Sequence, residues 1–138
     1  MRDILFRGKA IGGLNACRWI YGYYVKDFWT PSSVGHGIIP ADRDIGGYCE
    51  VYPDTVGQYT GLKDKNGKMI FEGDIVAGAV HWLERMKNGV VAFRCGSFGL
   101  IWHRGDVEQF NPFTSMCNVE YEVIGNIHDN PETFEGRC

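Results

Sequence analysis

The sequence predicts a mostly β chain, folded as a small barrel of short antiparallel strands with at most one short helix. Three observations carry this. Glycine is abundant, at 19 of 138 residues, which requires many turns or bulges. Aromatic residues make up 14% of the chain, and they favour strands. Apolar stretches are short and broken at close intervals by Gly, Pro and Asn-Gly signals, the spacing of a small barrel or sandwich.

The elements follow in order. Ile4-Leu5-Phe6, set between charges, reads as a first strand. Gly12-Gly13 is a turn signal. In Cys17–Trp29 (CRWIYGYYVKDFW), Trp19, Tyr21 and Tyr23 alternate with Arg18, Ile20 and Gly22, the pattern of an aromatic-faced strand. Thr30–Gly37 is loop-like, Ile38-Ile39 a short strand stopped by Pro40, and Asp42–Gly47 another turn region. Glu50-Val51-Tyr52 is limited by Pro53. Thr55–Tyr59 reads as a strand. Lys65-Asn66-Gly67-Lys68 signals a hairpin of type I′, which needs positive φ at both central residues. Met69-Ile70-Phe71 is the return strand, Glu72-Gly73-Asp74 a turn, and Ile75-Val76 the start of a further strand. His81–Asn88 (HWLERMKN) is the best helix candidate, although two turns fit a broad hairpin loop equally well. Asn88-Gly89 leads into Val90–Phe93. Phe98–His103 is an apolar strand, and Gly105–Asn118 is irregular. Val119–Ile127 alternates Val119, Tyr121 and Val123 against Glu120 and Glu122, and Asn130-Pro131 ends it.

Length and charge set limits. A protein of this size buries about two thirds of its unfolded surface, enough for a core. One domain over 1–138 is expected, with a subdivision into an N-terminal β part (1–53) and a barrel part (54–131). The net charge is -3, which excludes a globally basic nucleic-acid binder but not a local basic patch. Residues 61–104 carry seven basic and four acidic side chains, residues 105–138 one and seven. Such ends could attract each other in an oligomer. No apolar run is long enough to span a membrane, and the N-terminus lacks a signal-peptide core. Cys17, Cys49, Cys95, Cys117 and Cys138 are odd in number and form no C-x-x-C pair, which fits reduced thiols in a cytoplasm.

The densest stretch is residues 55–76, TVGQYTGLKDKNGKMIFEGDIV. Together with Arg2–Arg7 (RDILFR), Trp19, Tyr21-Gly22, and Tyr121–Pro131 (YEVIGNIHDNP), it resembles the YopX family of phage and prophage proteins. The resemblance covers about a third of the sequence and spans both ends. Gly-Asp-Ile-Val followed by Asn-Gly-Val-Val is also a pattern of SH3-like barrels. The resemblance therefore implies an SH3-like small barrel from a phage or prophage. It brings no catalytic residue. Gly57, Gly61, Gly67 and Gly73 read as backbone requirements, and Val56, Tyr59, Leu62, Ile70, Ile75 and Val76 as core. Lys63, Asp64, Lys65 and Lys68 read as an exposed hairpin tip.

Signals for chemistry are weak. His36, His81, His103 and His128 form no metal-ligand spacing, so no metal and no cofactor is expected. Cys95-Gly96-Ser97 with His81 or His103 as base is a thin case for a nucleophile. No G-x-S-x-G elbow, phosphate loop or dinucleotide fingerprint is present. The expectation is a non-enzymatic module for protein interaction or self-assembly, with a homo-oligomer, or a phage or host protein, as partner. The alternative is a nucleic-acid-binding accessory protein of phage replication or regulation; an enzyme stands third. The candidate binding surface is Trp19, Tyr21, Trp82, Arg85, Trp102 and Arg104, aromatics able to stack or anchor beside cations. Segments 30–50 and 81–88 are the candidate contact loops.

Overall fold

The fold is known from a computed structural model, which describes residues 3–26, 35–77, 88–113 and 121–130. Eleven strands are seen among these residues: β1 (Phe6–Lys9), β2 (Trp19–Lys26), β3 (His36–Pro40), β4 (Cys49–Glu50), β5 (Gly57–Lys63), β6 (Met69–Phe71), β7 (Asp74–Ala77), β8 (Gly89–Arg94), β9 (Ser97–Arg104), β10 (Val107–Pro112) and β11 (Glu122–Asn126). No α-helix is seen among the described residues; 3-10 turns lie at Gly13–Asn15 and Pro53–Thr55, and Phe113 is also in 3-10 conformation. The protein is thus mostly β, as expected. The helix candidate at 81–88 lies almost wholly outside the described residues.

Two compact units divide the sequence, Met1–Tyr59 and Thr60–Cys138, and the division falls inside β5. In the first unit the antiparallel order is β4-β3-β2-β1-β5. Lys9 faces Trp19, Arg7 faces Tyr21, and Tyr23 faces Ile39 across these ladders. The connection from β1 to β2 closes on a bulge. Cys17 N–H donates to Ala10 O and Ala10 N–H to Arg18 O, with Cys17 at φ 65. This is the hydrogen-bond pattern of a G1 bulge, with cysteine where glycine is usual. After β4 the backbone returns to β1: Ala10 and Val51 form a bridge, and Tyr52 N–H donates to Lys9 O. Val51 is fully buried and would meet a Cβ on Gly8 at 2.9 Å, so only glycine leaves it room. Ala10, Ile20, Ile38 and Val51 form this unit's core, with Phe6, Tyr24, Ile45, Cys49 and Val56 packed against it.

In the second unit β6 lies beside the latter part of β5, and a five-stranded antiparallel sheet runs β10-β9-β8-β7-β11. The strand ladders thus make two antiparallel sheets. The expected SH3-like barrel is not what they form: among the described residues the five-stranded sheet runs open, from β10 at one edge to β11 at the other. Ile70, Val76, Val91, Leu100, Trp102, Phe113 and Tyr121 form the core here.

The family-like stretch at 55–76 is explained by its hydrogen bonds. Thr55 Oγ1 accepts from Lys9 N–H and donates to Tyr52 O. Gly61 takes φ 89 within β5, and the Thr60 hydroxyl takes up the Leu62 N–H there. Asp64 is buried rather than exposed at the tip. Its Oδ1 accepts from Asn66 and Lys68 N–H, and its Oδ2 from Val123 N–H at 3.1 Å. Lys65 N–H donates to Tyr121 O at 2.8 Å, so the hairpin is fastened to the last strand. The type I′ turn expected at Asn66-Gly67 does not form. Gly67 has φ 82, but among the described non-glycine residues only Cys17 and Cys95 take positive φ. The Asp64 carboxylate gathers the Asn66 and Lys68 N–H groups into a longer, five-residue loop. Asp74 is likewise buried, and its Oδ2 accepts from Phe71 N–H across the Glu72-Gly73 turn.

Candidate interaction surface

β2 is the element that builds a surface. Its even-numbered residues Ile20, Gly22 and Tyr24 turn toward the core, which sends Trp19, Tyr21 and Tyr23 to the other face of the sheet. Paired residues share a face, so Arg7 and Lys9 of β1 and Ile39 of β3 join them. Tyr21 is 39% exposed, Tyr23 56% and Ile39 43%. These three form an apolar patch on adjacent strands.

The cations of this face are not aimed at solvent alike. The Arg7 guanidinium lies 4.5 Å from the centroid of the Trp19 ring, and Lys9 Nζ 5.6 Å from it. Arg7 is only 4% exposed, so it braces Trp19 rather than reaching outward. Trp19 is itself half-buried and already carries two cations. Tyr21, Tyr23 and Ile39 are left as the accessible part.

The six residues expected to form the binding surface separate in the structure. Trp19 and Tyr21 stand together on β2. Trp102 is corrected from surface to core: it is 5% exposed among Leu100, Phe113 and Tyr121. Its indole N–H is 3.1 Å from the Asn111 side-chain oxygen, in the amide orientation that satisfies both groups. Arg104 is exposed at the end of β9, in the second unit. Trp82 and Arg85 lie outside the described residues, as does part of each contact loop. Ile39 was missed. Ile38 and Ile39 are indistinguishable by composition, and only the pairing of Ile39 with Tyr23 turns it outward.

Cys95 (φ 51) and Gly96 (φ 80) form the two-residue turn between β8 and β9, an exposed hairpin tip rather than a cleft. No group of three or more metal-ligating side chains occurs among the described residues. An open cleft of about 240 Å³ is lined by Ala10–Gly13, Asn15 and Tyr48–Glu50. No helix among the described residues is long and apolar enough to cross a membrane.

Comparison with known proteins bears on the whole sequence. The family model described as YopX protein matches residues 23–135. Among solved structures, the protein is similar to the crystal structure of protein EF1440 from Enterococcus faecalis. The identity is 25%, the coverage 97% of this chain and 99% of that one, and the TM-score 0.51. No curated protein matches it.

Proposed function

The chain belongs to the YopX protein family, and from that premise we propose that it is a non-enzymatic protein-interaction module, whose contact face is the outer side of β2 and β3. The single observation behind this reading is the exposed patch of Tyr21, Tyr23 and Ile39 beside the braced Trp19. Tyrosine offers large contact area at low side-chain entropy, and a well-packed Trp–Arg pair gives the patch a rigid border. A phage or prophage setting and a cytoplasmic site of action are part of the same proposal, following the family resemblance. A second copy of the protein and a phage or host protein are both admissible occupants.

The test is a photo-crosslinking residue at position 39, activated in the cell and read by mass spectrometry. Adducts to another copy or to a distinct protein, lost on Tyr23→Ser, support the proposal and identify the occupant. A folded protein that gives no protein adduct from position 39 overturns it. Adducts to nucleic acid alone would install the second reading, which Tyr21 and Tyr23, exposed on the same strand as the Trp19 that Lys9 overlies, favour as a short stacking row.

A further inference from the structure

Asn66 is exposed and precedes Gly67, the one residue type without a Cβ to hinder attack by its own backbone nitrogen. In an Asn-Gly pair that nitrogen, after losing its proton, can attack the asparagine Cγ. A bond forms between the glycine nitrogen and Cγ, the bond from Cγ to the amide Nδ2 breaks, and ammonia leaves with a proton. The resulting succinimide is opened by water to aspartate, or to isoaspartate with the backbone rerouted through Cγ. No oxidant, metal or enzyme is needed.

We infer that Asn66 is a spontaneous deamidation site held closed by Asp64, so that covalent change at this hairpin records its detachment from the last strand. The guard has two parts. Gly67 N–H donates to Asp64 O at 3.0 Å, so the attacking nitrogen is occupied and its proton retained. The Asp64 carboxylate meanwhile holds the N–H groups of Asn66 at 2.8 Å and Lys68 at 2.9 Å, which fixes the backbone on both sides of the reacting pair. Ring closure requires rotation about the Cα–C and Cα–Cβ bonds of Asn66 and therefore release of these hydrogen bonds.

The guard depends in turn on the last strand. Asp64 Oδ2 accepts from Val123 N–H and Lys65 N–H donates to Tyr121 O, so opening the loop and freeing β11 are linked events. Isoaspartate lengthens the backbone between two N–H groups that must meet one carboxylate oxygen. It also adds a negative charge beside the Lys65–Glu122 ion pair. A reversible opening thereby becomes a one-way loosening. The other Asn-Gly pair among the described residues, Asn88-Gly89, differs: Gly89 is buried and paired with Val76 at the start of β8.

The experiment incubates the full-length protein in mildly alkaline buffer and quantifies isoaspartate at position 66 by peptide mapping. It compares native protein, protein in urea, and Asp64→Asn, with Asn66→Gln as the assignment control. The native rate is expected to be at least about tenfold below the urea rate, and Asp64→Asn to recover most of that difference while remaining folded by circular dichroism. Should Asp64→Asn fail to fold, the wild-type protein decides by hydrogen exchange. Opening at the Lys68 and Val123 amides must then account for the native deamidation rate. Equal native and urea rates, a folded Asp64→Asn with wild-type protection, or opening rates unrelated to the chemistry would each overturn the inference.

Discussion

Tyr121 and Cys95 show how single residues set stability in this protein. Tyr121 is 5% exposed, and its hydroxyl has no hydrogen-bond partner among the described residues. Burial pushes its pKa up to about 12 from an ordinary 10.0. The unfolded state releases this proton first, so the stabilising difference is intact below pH 10 and is lost as pH rises through 12. Tyr121→Phe is expected to change neutral-pH stability by less than about 1 kcal/mol, because no bond is lost. It should also remove on the order of 2–3 kcal/mol of alkaline destabilisation. Urea midpoints taken across that range check this, and a Phe variant that weakens as steeply as wild type would refute it. A smaller slope remains from Tyr59, also raised by burial and by Asp3. Asp64 has the opposite sense. Burial alone would raise its carboxyl, but the Val123, Lys68 and Asn66 N–H groups and the Lys68 charge outweigh that and hold it below 3.8. Its contribution is present above that value and fades as pH falls through the lowered pKa. Cys95 carries strain instead. A left-handed cysteine costs roughly 1 kcal/mol that asparagine avoids in part. Cys95→Asn should therefore raise stability by about 0.5–1 kcal/mol, seen as a higher melting temperature, whereas an unchanged or lower one would mean that the turn is not strained.

At the scale of elements, close backbone approach decides what can be built. A Cβ on Gly22 would lie 2.0 Å from Ile39 O and 2.8 Å from Ala41 N, both backbone atoms that cannot step aside. Gly22→Ala is expected to separate β3 from β2, costing at least about 3 kcal/mol and dispersing the Tyr23–Ile39 patch. Hydrogen exchange would show it as early loss of protection in β3; intact protection would mean that the strands slide without cost. Most strands were legible because alternation and turn residues are local signals. Trp19–Lys26 and the Gly73-Asp74 start of β7 are examples. What escaped was set by partners distant in sequence. The Asn66-Gly67 turn type depends on Asp64, whose second oxygen binds Val123 from near the C-terminus. Trp19 and Trp102 both sit in apolar, aromatic-bearing strands, yet one lines an open face and the other a core, a difference made by which sheet face is covered. Sheet closure was likewise beyond local pattern, since edges are defined only once all strands are placed.

Charge at the scale of the whole molecule separates the two readings of the β2–β3 face. Residues 1–59 carry six basic and six acidic side chains, whereas residues 60–138 carry eight and eleven. The unit that bears the aromatic patch is therefore neutral, and the excess negative charge belongs to the other. A neutral unit neither repels a second protein surface nor draws a polyanion over distance. Arg7, a cation of this same face, is buried against Trp19 and cannot follow a phosphate backbone. Binding through Tyr21, Tyr23 and Ile39 should then rest on apolar burial. Raising salt from about 50 to 200 mM is expected to change its affinity by less than roughly tenfold. A nucleic acid held by six to ten phosphate contacts would lose on the order of a thousandfold or more over the same interval. Sedimentation of the protein with the partner captured at position 39 measures this difference directly. One partly exposed cation, Lys9, cannot supply such a slope, so a steep loss would place the driving force elsewhere and would move the contact to the basic stretch of residues 61–104. A flat response abolished by Ile39→Lys would fix it on the β2–β3 patch.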